Sequence, residues 1–208
     1  MLLHSRIVTF RTSPRKLMPW ALGITEYVNT RSSVPVSLWM ADYGYPIGTL
    51  SWSALLESQA QLAQALEPLA GDDGYHDLLD AAAAMVDTAG QDMLREVVYG
   101  APGEVAPVGS TAIITTATAT VECLPEAIGW SIDIAQHLES LTGNGVTVLT
   151  NVFGQMGGIT WISTGTLEAG EVARAQSGAD ATYIGKLAAT KELFISGSGH
   201  TSRFTRVA

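Results

Sequence analysis

Val36–Trp52 reads VSLWMADYGYPIGTLSW, and Val146–Trp161 reads VTVLTNVFGQMGGITW. Both are an alternating run, a glycine-containing turn, a second run and a tryptophan. Alternation with period two bounded by glycine and proline is the pattern of a β-hairpin. Each copy is read as a hairpin that ends at the start of a helix.

Working outward, the segments around the two hairpins also correspond. His4–Arg11 reads as a strand, and Ser13-Pro14 supplies an N-cap followed by a proline at the first helical position. Leu17, Ala21, Ile24 and Val28 then mark one helical face. After the hairpin, Ser53 is read as the cap of a helix to about Leu69. Gly71–Gly74 interrupts it, a helix follows over Tyr75–Val86, and Met93–Tyr99 is a last strand. Ala101–Gly109 (APGEVAPVG) reads as a linker, after which the order restarts. Thr111–Ala119 is a strand and Leu124–Leu141 a helix; Val146–Phe153 and Gly158–Ser163 form the second hairpin, and helices follow over Thr166–Gln176 and Ala181–Leu193. Thr201–Val207 is the final strand.

Met18–Thr25 aligns with Leu124–Ser131 at an offset of 124 − 18 = 106. Val36 aligns with Val146, Trp52 with Trp161, Tyr75 with Tyr183 and Arg95 with Arg203, at offsets of 110, 109, 108 and 108 (146 − 36, 161 − 52, 183 − 75, 203 − 95). The chain is therefore read as a tandem duplication: residues 1–100, a linker at 101–109, and residues 110–208.

The composition sets limits. With 47% hydrophobic and 15% charged residues, the 208-residue chain is globular and long enough for a large core. A net charge of −9 with only 11 lysines and arginines argues against nucleic-acid binding. No run of about 18 apolar residues suggests a membrane span. The start, MLLHSRIVTFR, alternates like a strand and does not resemble a signal peptide, so a cytoplasmic protein is expected. Cys123 is the single cysteine, which leaves no intrachain disulfide and no multi-cysteine metal site. The four histidines form no HxxxH, HxH or His–carboxylate cluster, so no metal site is expected. There is no P-loop, no GxGxxG at a strand–helix junction and no GxSxG elbow. Gly154–Gly158 and Ser196–Gly199 read as a turn and a loop.

A β-α-β-β-α-α-β unit extends the ferredoxin-like split βαβ layout. With its extra helix before the last strand and Trp at the end of the third, it resembles the dimeric α+β barrel superfamily. That group includes antibiotic-biosynthesis monooxygenases, haem-degrading enzymes and NIPSNAP-like proteins. The resemblance implies an α+β fold in which two tandem ferredoxin-like repeats form a barrel, closed within one chain or between chains, and a homo-oligomer is expected. It also implies a small-molecule enzyme: a cofactor-independent monooxygenase, or a related isomerase or cyclase, acting on an aromatic or polyketide-like substrate. The cofactor-free members use Trp, Tyr, Asn and Arg to orient a polycyclic phenol and stabilise its deprotonated form towards oxygen. Those residue types place Asn151 and Arg95 as catalytic candidates, and the haem-degrading relatives add His76. Trp39, Asp42, Tyr75, Tyr183 and Arg203 are candidates for binding the substrate.

Each candidate has a structural reading beside the functional one. Trp52 and Trp161 occur in both copies and serve packing. Asp72 and Asp180, three residues before Tyr75 and Tyr183, are helix N-caps. Arg95 and Arg203 hold an anion or pair with surface carboxylates. His76 is the position at which haem-degrading relatives would place an iron ligand, or an exposed histidine at a helix start. A non-catalytic binding or self-assembling protein, and a haem-binding protein, are the alternatives. Function is expected where the copies disagree, at Trp39-Met40-Ala41-Asp42 against Leu149-Thr150-Asn151-Val152.

Overall fold

A computed structural model of the chain describes residues 1–100, 105–190 and 192–208. The first half contains β1 (Leu2–Phe10), α1 (Pro14–Asn29), β2 (Ser37–Tyr43), β3 (Thr49–Leu56), α2 (Gln59–Ala70), α3 (Asp73–Ala83) and β4 (Val86–Tyr99). The second contains β5 (Thr111–Thr118), a 3₁₀ turn, α4 (Leu124–Thr142), β6 (Thr147–Phe153), β7 (Gly158–Gly165), α5 (Leu167–Ala179), α6 (Ala181–Ala188) and β8 (His200–Arg206).

All eight strands join one closed antiparallel barrel in the order β1-β3-β2-β8-β5-β7-β6-β4. β2 pairs with β8 and β4 with β6, so the two halves seal each other and one chain closes the barrel. Closure leaves no unpaired edge for another chain to template on. The registers of the halves superpose under one shift: Leu2↔Leu56 becomes Thr111↔Gly165, and Leu2↔Glu96 becomes Thr111↔Thr205 (111 − 2 = 165 − 56 = 205 − 96 = 109). That shift sets Phe204, and not Arg203, at the position matching Arg95. The sequence alignment of the two arginines is off by one residue, and one residue in a strand turns a side chain to the other face.

Alternation divides every strand between the lumen and the helix-covered outer face. On β3, Leu50, Trp52 and Leu56 lie with the helix-side clusters, whereas Ser51, Ser53 and Leu55 line the lumen. The core lies between the outer face and the helices, as Val8, Phe10, Leu17, Ala21, Leu38 and Leu50 in one cluster and Ala127, Ala135, Val146, Val148 and Ile159 in another. Two glycines fix how the hairpins fold back. Gly48 and Gly157 have φ of 89° and 77°, and a Cβ there would stand 2.4 Å from the Phe10 carbonyl oxygen and 2.6 Å from that of Ala119. Only glycine combines the left-handed backbone with that approach. Their carbonyls accept the Phe10 and Ala119 N–H groups at 3.1 and 2.9 Å.

Three boundaries differ from the sequence reading. β3 continues past Trp52 to Leu56, and it is Ser58 whose hydroxyl caps α2, accepting the Gln61 N–H at 3.2 Å. β4 begins at Val86, seven residues before Met93, because β1 supplies a partner for a polar, exposed stretch that shows no alternation of its own. α6 ends at Ala188. Residues 101–104 of the linker expected at 101–109 lie outside the described residues. The expected caps are present: Asp72 Oδ1 accepts the Tyr75 N–H at 2.8 Å and Asp180 Oδ1 that of Tyr183 at 2.6 Å. Among the described residues, no helix is long and apolar enough to cross a membrane.

Candidate active site

The outer face of β1, β3 and β4 stands away from α1, α2 and α3 and leaves a cavity of about 780 Å³. That volume lies in the range of small-molecule sites, about 300–1,000 Å³. One wall is aromatic. Phe10, Trp20 and Trp52 pack with centroids 5.3–6.3 Å apart and rings tilted or edge-on, the geometry favoured by ring quadrupoles. Both indoles are fixed by hydrogen bonds: Trp52 Nε1 donates to Thr25 Oγ1 at 2.9 Å and Trp20 Nε1 to the Leu78 carbonyl at 2.8 Å. Ile24, Leu69 and Leu79 continue the apolar lining.

Beside that wall, on the same sheet face, is a polar group from two neighbouring strands, with Arg6 the cross-strand partner of Trp52. His4 and Arg6 alternate with the lumen-facing residues of β1, and Asp92 pairs with Arg6 across the ladder to β4. Arg6 Nε and Nη2 donate to the two Asp92 carboxylate oxygens, each at 2.7 Å, a bidentate fork. His4 Nε2 is 3.6 Å from Asp92 Oδ1. The Tyr75 phenol, at the start of α3, also lines the cavity and adds to the field around Arg6.

The electrostatics follow from these contacts. Burial pushes the His4 imidazole below the usual histidine value and outweighs the opposing pull of Asp92, so at neutral pH His4 is a neutral base. The fork from Arg6 is the main cause that holds the Asp92 carboxyl below the usual carboxylate range. The cavity thus presents a proton acceptor beside a fixed guanidinium, next to an aromatic wall.

The second half lacks this group. At the positions matching His4, Arg6 and Asp92 stand Ile113, Thr115 and Thr201, and the two threonine hydroxyls share a hydrogen bond of 3.1 Å. Ala119 occupies the place of Phe10, and Phe194 moves in to pack on Trp130 and Trp161 at 5.5 and 5.9 Å. Trp161 keeps its structural task, donating to the Ser131 carbonyl at 3.3 Å.

The residues singled out in the sequence fall in separate places. Tyr75 lines the cavity. His76, next to it, is exposed, and its Nε2 lies 3.0 Å from the Ala70 carbonyl oxygen, outside the cavity lining. Trp39 and Arg95 face the barrel lumen. Asn151 is the cross-strand partner of Arg95, but its Nδ2 donates to the Gln155 carbonyl at 3.0 Å in the hairpin turn. Asp42 and Arg203 engage each other: Arg203 Nε donates to Asp42 Oδ2 at 3.1 Å, and the Thr205 hydroxyl donates to the same oxygen at 2.7 Å. Tyr183 is half-buried on α6, and burial raises its phenol pKa. Sequence reading passed over His4, Arg6 and Asp92. The signal was present in β1, whose outward face reads His4, Arg6, Val8, Phe10 and disagrees with Ile113, Thr115, Ala117, Ala119.

No protein-family model and no curated protein sequence matches the chain. Solved structures do. A Fusobacterium nucleatum protein provisionally described as a monooxygenase superposes with a TM-score of 0.74 at 8% identity, covering 100% of this chain and 92% of that one. An anthrone oxidase-like protein gives 0.69 at 16% identity, covering 100% and 91%. The fold is the dimeric α+β barrel. A major regulator of staphylococcal pathogenesis shares it as well, with a TM-score of 0.58, 9% identity and full coverage of both chains. The dimeric α+β barrel thus hosts unlike functions, and the chemistry has to be argued from the site.

Proposed function

We propose that the protein is a cofactor-independent oxygenase that oxidises a planar, acidic aromatic of the anthrone or phenol class in the cavity between the first-half sheet and its helices. The observation that carries this reading is the placement of the His4–Arg6–Asp92 group directly beside the Phe10–Trp20–Trp52 wall, on the same sheet face, where Arg6 is the cross-strand partner of Trp52. The wall suits a flat polycycle, and the name of the anthrone oxidase-like neighbour supplies the substrate class.

In this reading the substrate lies in the cavity against the aromatic wall with its acidic C–H or O–H towards His4. Neutral His4 removes that proton. Arg6, with its charge fixed in place by Asp92, stabilises the oxyanion of the resulting enolate or phenolate, and the Asp92 carboxylate steadies the imidazolium. The electron-rich ring carbon reacts with dioxygen, the co-reactant, to form a C–O bond and a peroxide anion. The imidazolium returns its proton to that anion. For an anthrone methylene, loss of the second C–H proton with cleavage of the O–O bond leaves a carbonyl and water. Carbon gives up four electrons, and dioxygen takes up the same four.

The test is oxygen uptake and quinone absorbance with an anthrone, corrected for spontaneous oxidation. His4→Gln is expected to lower kcat about 10²- to 10⁴-fold, while circular dichroism and the melting profile stay those of a folded chain. Oxygen uptake no faster than the spontaneous rate, together with no change in tryptophan fluorescence on adding the anthrone, refutes the proposal.

A further inference from the structure

The barrel lumen is a second, separate cavity of about 200 Å³, and it contains a buried cation that the chemistry above does not use. Arg95 is 8% exposed. Its Nη1 donates to Ser5 Oγ at 3.1 Å and its Nη2 points at the Met93 sulfur at 2.8 Å. Its Nε is buried with no hydrogen-bond partner. Among the described residues no carboxylate forms a salt bridge with it; the only charge partner felt there is the Tyr45 phenol. A guanidinium stays protonated even when burial lowers its pKa, and an unpaired charge in an apolar interior is costly. The position is not fixed by the fold, since the matching position on β8 is Phe204.

We propose that the lumen is a binding site for a small apolar monocarboxylate, whose carboxylate pairs with Arg95 while its hydrocarbon body lies along Ile114, Leu149, Ile162 and Phe204. One cation sets the ligand charge at one, because a dianion would leave a buried charge unbalanced. The hydroxyl of Ser5 accepts from Arg95, and that of Ser53 accepts from Trp39 Nε1 at 2.9 Å, so each retains a proton to donate to a ligand oxygen. The volume, below that of drug-sized sites and equal to about seven waters at ~30 Å³ each, suits a medium-chain fatty acid. This site is on the opposite face of the sheet from the helix-side cavity and does not depend on the reaction proposed there.

Calorimetry and thermal unfolding of the full chain with octanoate, octan-1-ol and octylamine test it. Octanoate is expected to bind at one per chain and raise Tm, with the alcohol and the amine at least about 30-fold weaker. Arg95→Met is expected to weaken octanoate at least about 100-fold without lowering the ligand-free Tm, since an apolar side chain replaces a buried charge that no carboxylate pairs among the described residues. Ala112→Leu, which fills the lumen and leaves Arg95 in place, is expected to abolish binding; His4→Gln is expected to leave it unchanged. Binding that survives Arg95→Met and Ala112→Leu but is lost in His4→Gln assigns the ligand to the helix-side cavity and overturns the proposal. So does the absence of octanoate binding at millimolar concentration. If both lumen variants fail to fold, equal affinity of the wild-type chain for octanoate and octan-1-ol overturns it.

Discussion

Replacing Arg6 by Gln separates a catalytic from a structural role for the polar group. The Arg6–Asp92 fork has good geometry, with both bonds at 2.7 Å, but the two side chains are 44% and 50% exposed. Solvent screening at that exposure limits an ion pair to roughly 0–1 kcal/mol of stability. A chain of this size melts about 2–4 °C lower per kcal/mol, so Arg6→Gln should cost no more than about 4 °C. The same guanidinium acts differently on a transition state. Aimed at a developing oxyanion beside an apolar wall, one fixed donor is worth about 2.7–4 kcal/mol, or 10²- to 10³-fold in kcat. The expected result is therefore a nearly unchanged melting curve with a loss of kcat of at least about 100-fold, measured as oxygen uptake with an anthrone at saturating concentration. Asp92→Asn should give a smaller loss, since Arg6 remains but is no longer held in place. A large drop in Tm with kcat per folded molecule unchanged would falsify the assignment and make the fork a structural strut.

The remaining predictions concern the frame of the site and its pH dependence. Trp52→Ala should cost about 3–5 kcal/mol, read from urea unfolding. Trp161→Ala should cost a similar amount, but only the first should abolish quenching of Trp20 by an aromatic ligand. Gly48→Ala and Gly157→Ala place a Cβ against a carbonyl oxygen at positive φ and should each destabilise by about 1–3 kcal/mol; equal stability to wild type in urea would contradict the register described. Because burial holds His4 below its unfolded pKa, the unfolded chain binds the proton more readily. His4 therefore lowers stability most below its folded pKa, and that cost fades as pH rises to the unfolded value of about 6.5. Asp92, held low, contributes stability that is lost as pH falls through its folded pKa, below the usual carboxylate range. Urea midpoints against pH should lose the first of these slopes in His4→Gln and the second in Asp92→Asn.

How much of this was legible in the sequence varied with the physical signal. The hairpins could be read because Leu38–Met40 and Val148–Thr150 alternate between a covered face and a lumen, and their turns need glycine. The caps at Asp72 and Asp180 were readable because a carboxylate three residues before a helix position has one common use. The extension of β3 past Trp52 was not, since Ser53 is both a good helix cap and a small lumen-facing strand residue. The first seven residues of β4 were invisible because pairing with β1 stabilises them and no hydrophobic pattern marks it. Among site residues, Tyr75 was placed in a cavity. Arg95 and Arg203 were read alike, as anion holders or surface arginines paired with carboxylates; Arg95 is buried in the lumen, whereas Arg203 faces outward and pairs with Asp42. His4 and Arg6 were passed over because a strand edge at a chain start looks like surface; only barrel closure through β4 brings Asp92 beside them.

The disagreement between the halves, expected in the hairpins, is concentrated in β1 and β4, and this has a geometric reason. In a closed barrel the hairpin strands β2 and β6 run beside strands of the other half, β8 and β4, so their outward residues are committed to the seam. Asp42 shows the constraint: its carboxylate is held by Arg203 and Thr205 across that seam. β1 pairs only with β3 and β4 of its own half, and Asp92 lies on β4 opposite Arg6, just before the stretch from Leu94 to Tyr99 that pairs with β6. A polar group can be built there without disturbing the junction, provided the other half fills the equivalent space, as Phe194 and the Thr115–Thr201 pair do. In the lumen the matching positions of β4 and β8 differ as well, Arg95 against Phe204, one charged and one apolar side chain. Both candidate sites therefore sit where the fold tolerates asymmetry. Introducing Arg at Thr115 and Asp at Thr201 should consequently leave the barrel folded, with circular dichroism unchanged and Tm within about 4 °C of wild type. A variant that unfolds would show that the second half relies on its threonines for more than filling space.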